Sequence, residues 1–419
     1  MKRLTTLLAL CLFALPVFAQ KLLIPMDLSQ TDHLKAYGIA YDALEKGIKV
    51  EWLLNYRGGS FMMDQSDEIA NECRLRGVKA EDAGGAGDIY LEIENANMEV
   101  VLLEKPTKVA IYAPDQVREG PWDDAVNLAL TYAEIPFDVI YDQEILEGKL
   151  SKYEWVHLHH EDFTGQYGKF YSMYRNADWY IRQVQQEEAS AKSLGYPKVS
   201  EMKLAVARTL KNYVGRGGFL FAMCSATDSY DIALAAALTD ICAPVFDGDP
   251  VDPNYQSKMD FGNGLAFQNY SVITDPMVYE FSTIDCAPSS GLLAQGGEGD
   301  YFTLFDFSAK FDPVPTMLTQ CHTNVVKGFL GQTTAFHKEY LKPTVTILAQ
   351  REGTDEIKYV HGKFGDGFWT YYGGHDPEDY RHQVGDPPTQ LALHKNSPGY
   401  RLILNNVLFP AARKKKLKT

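Results

Sequence analysis

The chain has 419 residues, 45% of them hydrophobic and 23% charged, with a formal charge of −15. That length holds two domains or one large domain with insertions, and that charge argues against nucleic acid as a partner. One of its six cysteines, Cys11, lies near the N-terminus; the other five are odd in number and widely spaced, which excludes a disulfide scaffold.

Met1–Ala19 reads as a secretory leader, with Lys2 and Arg3, then apolar Leu4–Val17, then a cleavage site at Val17-Phe18-Ala19. The run is too short to span a bilayer, and no later stretch is apolar enough to do so. The expectation is therefore a periplasmic or secreted protein beginning near Gln20, with at least one unpaired thiol among Cys73, Cys224, Cys242, Cys286 and Cys321. Residues 20–105 open with a β-α-β pattern: Lys21–Met26, the helical run His33–Lys46 capped from Asp27–Gln30, and Lys49–Asn55. Arg57-Gly58-Gly59 makes a turn, Asp64–Arg76 is helical, and Ile89–Ile93 and Glu99–Leu103 read as strands. This segment is either an accessory layer or the first strands of the main sheet.

From Pro106 strands and helices alternate: Lys108–Tyr112, helix Trp122–Glu134, Phe137–Tyr141, a helical turn Gln143–Leu150, and Trp155–Leu158. The alternation predicts an α/β fold with a parallel sheet and helices on both faces. Residues 165–200 read as a helical arm before the helix Glu201–Val214. Residues 243–340 lack a helical period and read as a β- and loop-rich insertion. Strands return at Thr344–Gln350, Lys358–His361 and Gly367–Tyr372. The basic run Arg413–Lys418 reads as a solvated tail.

Gly217–Leu238 carries the sharpest signal. Phe219–Met223 is a buried-strand pattern, Cys224 sits at a turn, and apolar residues recur at helical spacing from Tyr230. Strand, turn with a nucleophile, helix is the outline of a nucleophile elbow, and Ala222 and Ala226 meet its demand for small neighbours. A cysteine there is either an activated thiol at a helix N-terminus or a buried structural residue. After Phe368–Tyr372 comes Gly373-Gly374-His375-Asp376-Pro377-Glu378. A thiol nucleophile needs a base, and the base an orienting carboxylate. Cys224, His375 and either Asp376 or Glu378 supply these from two strand ends; alternatively His375 and Asp376 satisfy their own turn.

His157-Leu158-His159-His160-Glu161-Asp162 closes another strand, with His157 and His159 on one face. A polar rim for a substrate, with His159, His160 and Glu161 beside Ser225, fits this pattern better than a metal centre. His322 is the residue that could complete a metal site.

The order of these pieces resembles the class I glutamine amidotransferase-like superfamily, and most closely its trehalose-utilisation (ThuA-like) branch. The match rests on the cysteine elbow, on Gly374-His375-Asp376-Pro377-Glu378 and on a closing helix at Tyr400–Leu408. The resemblance implies a flavodoxin-like core over 106–242 and 341–412, interrupted by the insertion at 243–340. The glutamine that usually follows the elbow in glutamine-hydrolysing members is missing after Ala222–Asp228, and many ThuA-like members lack the cysteine. The opening also resembles exported bacterial proteins labelled asparagine synthetase B. That chemistry needs a cysteine at the mature N-terminus and a Ser-Gly-Gly-Leu-Asp-Ser loop, which Ser289–Leu293 does not supply. The expected function is a cysteine hydrolase acting on a small amide or sugar derivative, without cofactor. The alternative is a non-catalytic module binding such a ligand.

Overall fold

The computed structural model describes residues 20–114, 124–286, 300–380 and 386–413. The expected leader, Trp122, Ser289–Leu293 and the basic run beyond Arg413 lie outside these residues. No helix among them is long and apolar enough to cross a membrane.

The architecture is mixed α/β, with two sheets. The N-terminal segment builds its own antiparallel sheet from β1 (Lys21–Ile24), β2 (Val50–Leu54), β3 (Ser60–Asp64), β4 (Glu81–Asp82) and β5 (Glu99–Leu103), in the order β4-β1-β3-β2-β5. The β2–β3 turn holds Gly58 at φ 78°, where a Cβ would lie 2.4 Å from the Met26 carbonyl oxygen, so only glycine fits. Helix α1 (His33–Glu45), capped by Asp32, is buried on nearly every side, and α2 (Asp67–Arg76) ends on left-handed Gly77. The stretch Ile89–Ile93, expected as a strand, lies inside helix α3 (Gly87–Asn95). Ile89 and Ile93 are one helical turn apart and pack with Tyr90 on Leu23, Leu53 and Met62. So short an apolar run does not distinguish a period of 2 from one of 3.6.

The main sheet begins with β6 (Val109–Tyr112), β7 (Phe137–Ile140), β8 (Trp155–Leu158) and β9 (Phe219–Met223). The intervening helices are α4 (Ala125–Ala133), α5 (Asp142–Leu146), α6 (Tyr171–Tyr174), α7 (Asp178–Ser193) and α8 (Val199–Gly215), followed by α9 (Ala226–Ala235). Residues 300–372 add β10 (Tyr301–Leu304), β11 (Val325–Lys327), β12 (Phe336–His337), β13 (Thr346–Arg351), β14 (Glu356–Phe364) and β15 (Gly367–Tyr372). Helix α10 (Pro398–Leu408) closes the chain. The path is β11-β10-β13-β14-β15-β9-β8-β6-β7, with β12 on β14.

Five neighbours, β7-β6-β8-β9-β15, are parallel throughout. The rest are antiparallel, so the sheet is mixed rather than parallel as expected. The cause is local: only Gly365-Asp366 separates β14 from β15, and so short a link reverses the chain. Residues 300–340 supply β10 and β11 to this same sheet, so that part of the expected insertion continues the sheet.

Both faces of the parallel strands are buried. Phe219, Phe221 and Met223, with Trp155 and Ile111, pack towards α1, α4 and α10, while Leu220 and Ala222, with Val156 and Leu158, pack towards α5, α8 and α9. Each such large apolar side chain contributes roughly 2 kcal/mol by its burial. Strands covered on both faces leave their carboxyl ends as the edge where irregular chain gathers.

Candidate functional site at the carboxyl ends of the parallel strands

Because β9 ends at Met223 and α9 begins at Ala226, Cys224 and Ser225 make the whole turn. Cys224 has φ 51°, a left-handed value that a side-chain-bearing residue adopts only when its surroundings hold it there. Ala222 and Ala226 are fully buried on either side. The sulfur is buried too, and the Gln332 amide donates to it at 3.2 Å, joined by the amides of Ser225 and Thr333. Burial pushes the thiol up, and these three amides offset only part of the rise.

Gln332 and Thr333 belong to a loop, residues 329–334, that lies across the elbow. Gly331 meets the Gly-Gly-His turn so closely that a Cβ there would sit 2.9 Å from the Gly374 Cα and the His375 nitrogen. The His375 amide donates to the Leu330 carbonyl and the Gly374 amide to that of Thr333, both at 2.8 Å. Lys358 donates to the carbonyls of Phe329 and Thr334 at 2.5 and 2.8 Å, its pKa lowered to about 8 by burial. Asp228, on the first turn of α9, accepts from Thr333 Oγ1 at 3.0 Å, its carboxyl pushed well up by burial.

Beside this loop three imidazoles gather. The His375 ring centroid is 4.1 Å from that of His159 and 5.7 Å from that of His160. Each of the three offers a ring nitrogen within 4.8 Å of the others. His159 and His375 are buried, and His160 is partly exposed. Behind them, Asp124 Oδ2 meets His159 Nδ1 at 2.7 Å and His157 Nε2 at 3.0 Å, while His157 Nδ1 faces the Phe221 carbonyl at 3.2 Å. Burial opposes the charge of Asp124, but His159 and His157 hold its carboxyl well below the usual range.

The elbow holds this strip in place. The Ala226 amide, Ser225 Oγ and Ser229 Oγ donate to the carbonyls of His159, His160 and Glu161, at 3.1, 3.0 and 3.0 Å. Ser225, expected at a substrate rim, is fully buried and serves as this tie. Glu161 is buried as well; burial raises its carboxyl to about 8, with Lys203 opposing. Asp162 accepts from the amides of Thr164, Gln166 and Gly168 and so caps its own loop.

His375 and Cys224 thus arrive at one edge from adjacent strands, in register at Tyr372 and Met223. The bonds traced to the sulfur come from backbone amides, whereas the His375 ring lies on His159 and His160. The two carboxylates expected to orient His375 are engaged elsewhere. Asp376 accepts from the Glu378 amide at 2.8 Å and from Tyr400 OH at 2.7 Å. Glu378 pairs with His394 at 3.0 Å and accepts from Tyr380 OH at 3.1 Å. His322 stacks on His33 at 4.4 Å beside Arg401 and belongs to a different cluster.

Asp124 is the residue that sequence reasoning missed. Starting the helix at Trp122 put Asp124 inside it, whereas it is the N-cap of α4, accepting from the Asn127 amide at 2.6 Å. An aspartate directly before the apolar run Ala125–Ala133 was the available signal.

A second group, Asp240, Cys242 and Asp247, is spanned by the Lys198 ammonium, which lies 2.8 Å from Asp240 and 2.9 Å from both Asp247 and Asp249. An adjoining cavity of about 260 Å³, lined by Phe163, Thr164, Leu204 and Cys242, stands apart from the histidines.

No family model and no curated protein matches the chain. Among solved structures it is similar to two cytoplasmic proteins of Salmonella typhimurium. One has 10% identity and a TM-score of 0.34, with 74% of this chain and 100% of that one covered. The other has 12% identity and a TM-score of 0.35, with 73% and 99% covered. A GH42 β-galactosidase from G. stearothermophilus matches at 12% identity and a TM-score of 0.27, over 66% of this chain and 29% of that one. Likeness at this level says nothing of activity. Against the expected periplasmic or secreted location, the two Salmonella structures are described as cytoplasmic proteins. The expectation rested on the composition of Met1–Ala19, which lies outside the described residues.

Proposed function

We propose that the chain is a class I glutamine amidotransferase-like protein of the ThuA-like branch, and that its strand-carboxyl edge binds a small polar ligand, a sugar derivative or a small amide. The order β7-β6-β8-β9-β15, all parallel, supports a flavodoxin-like core, since it corresponds to 2-1-3-4-5 in chain order. The observation that carries the ligand site is the convergence of His159, His160 and His375 at that edge, backed by Asp124. Imidazoles both donate and accept hydrogen bonds, which suits hydroxyls and carboxamides. In this reading His375 and His160 meet the ligand, and Cys224 anchors the 329–334 loop.

A second reading keeps Cys224 as the nucleophile of a hydrolase. It is favoured by the left-handed turn and by the three amides at the sulfur, which suit a thiolate. Catalysis would then require the loop to lift so that His375 can take the thiol proton.

Calorimetric titration of mono- and disaccharides and of primary carboxamides, with product analysis, tests both. The ligand-site reading expects binding by the parent and by Cys224→Ser, loss in His375→Asn, and slow alkylation of Cys224 at neutral pH. Turnover abolished by Cys224→Ser establishes the hydrolase instead. A folded parent that binds nothing in either panel sinks the ligand site.

A further inference from the structure

We propose that His159, His160 and His375 form a binding site for a divalent transition-metal ion of the zinc class, with Asp124 and His157 as its supporting shell. The site occupies the edge assigned to the ligand but needs no ligand in order to exist.

Three observations carry it. First, three imidazoles from the ends of two different strands bring ring nitrogens within 4.8 Å of one another. In a tetrahedral zinc site, with metal–nitrogen bonds of about 2.0–2.1 Å, ligating nitrogens lie about 3.3–3.4 Å apart. His160 Nδ1 lies 3.1 Å from His159 Nδ1, the nitrogen that Asp124 holds, so the partly exposed His160 ring turns for an ion to sit at His159 Nε2.

Second, Asp124 meets His159 Nδ1 at 2.7 Å. A carboxylate behind an imidazole fixes the ring and raises the basicity of its other nitrogen, the arrangement found behind metal-ligating histidines. Asp124 is itself held by the N-terminus of α4 and by His157, so this support is rigid.

Third, the backbone of the strip is fixed independently of any ion. Ser225, Ala226 and Ser229 hold the carbonyls of residues 159–161, and the Leu330 carbonyl receives the His375 amide. Ligands positioned in advance lower the ordering cost of binding.

The other clusters are less suited. In Asp124–His157–His159 the polar atoms already bond one another at 2.7 and 3.0 Å. The Asp240–Cys242–Asp247 group already holds the Lys198 ammonium. Nitrogen ligands favour zinc, copper, nickel or iron over magnesium or calcium. Three histidines leave a fourth position open, which an ion presents to water or to a ligand oxygen.

The test uses the full chain, stripped with a chelator, dialysed and titrated with cobalt(II) and then zinc. The expected result is one equivalent of cobalt with the visible spectrum of a four-coordinate centre, displaced by zinc. Asp124→Asn should weaken zinc binding about 10–100-fold. His160→Ala and His375→Ala should weaken it further, while His337→Ala, on β12, leaves it unchanged. Thermal melts confirm folding, and His160→Ala, at a partly exposed position, decides the case if a buried variant does not fold. A folded parent that takes up no stoichiometric metal overturns the proposal, as does binding unaffected by both His160→Ala and His375→Ala. Metal bound by a chain that binds no sugar or amide upholds this site and sinks the ligand reading. Sugar or amide bound by a chain that takes up no metal does the reverse.

Discussion

Ser225 and Asp376 stand next to Cys224 and His375 in the chain, yet each bonds the scaffold. Ser225 holds the His160 carbonyl, and Asp376 joins its own turn to Tyr400 on α10. Adjacency in sequence located the edge but did not reveal which way each side chain turns. Glu187, on α7, gives the clearest titration. Burial raises its carboxyl to about 7 from the usual 4.5, opposed by Lys203 and assisted by Asp162 and Asp142. With the folded value above the unfolded one, the folded chain keeps a proton that the unfolded chain has released. Stability from this group is therefore full below pH 4.5 and lost as pH rises towards 7. Glu187→Gln should remove that loss, a difference on the order of 3 kcal/mol by pH 8, seen in denaturant titrations across the range. Parent and variant falling in parallel would show that Glu187 is not the source.

At the scale of elements, the 329–334 loop decides whether the elbow is open. Gly331 is in contact with the backbone of the Gly-Gly-His turn, where no flexible side chain can give way. Gly331→Ala should force the loop outward, break the Gln332 amide bond to the sulfur and speed alkylation of Cys224 by iodoacetamide. It should also cost about 1–3 kcal/mol of stability, as overpacking does. An unchanged alkylation rate would mean that the loop does not control access. The elbow's strand and helix were legible because Phe219–Met223 is a short continuous apolar run, after which apolar residues recur at helical spacing from Tyr230. The loop was not, because its place depends on Lys358, Asp228 and the turn after β15, all distant in sequence.

For the molecule as a whole, Arg401 joins three distant stretches. Fully buried on α10, it donates to the Met26 carbonyl at 2.8 Å and the Gly58 carbonyl at 2.7 Å, and lies 3.1 Å from His322 Nδ1. The N-terminal sheet, the 320s loop and the closing helix therefore meet on one guanidinium. Hydrogen bonds to a charged group contribute about 1.5–3 kcal/mol each. Arg401→Met, similar in length but without donors, should lower unfolding free energy by about 3 kcal/mol or more. A loss below about 1 kcal/mol would show that the N-terminal segment is held by its apolar core alone.

What the sequence determined by itself was local. Apolar periodicity gave the five parallel strands, the alternating helices and the cysteine turn, because each is written in a few neighbouring residues. Only the tertiary structure decided the rest. A two-residue link reversed the sheet after β14, and Ile89–Ile93 became helical against an apolar cluster drawn from β1, β2 and β3. Asp124, not Asp376 or Glu378, became the carboxylate behind the histidines. The β14–β15 reversal is local, but the packing of Ile89–Ile93 on β1–β3 and the bond of Asp124 to His159 join residues that lie dozens apart, and contacts at that range leave no periodic trace in the chain.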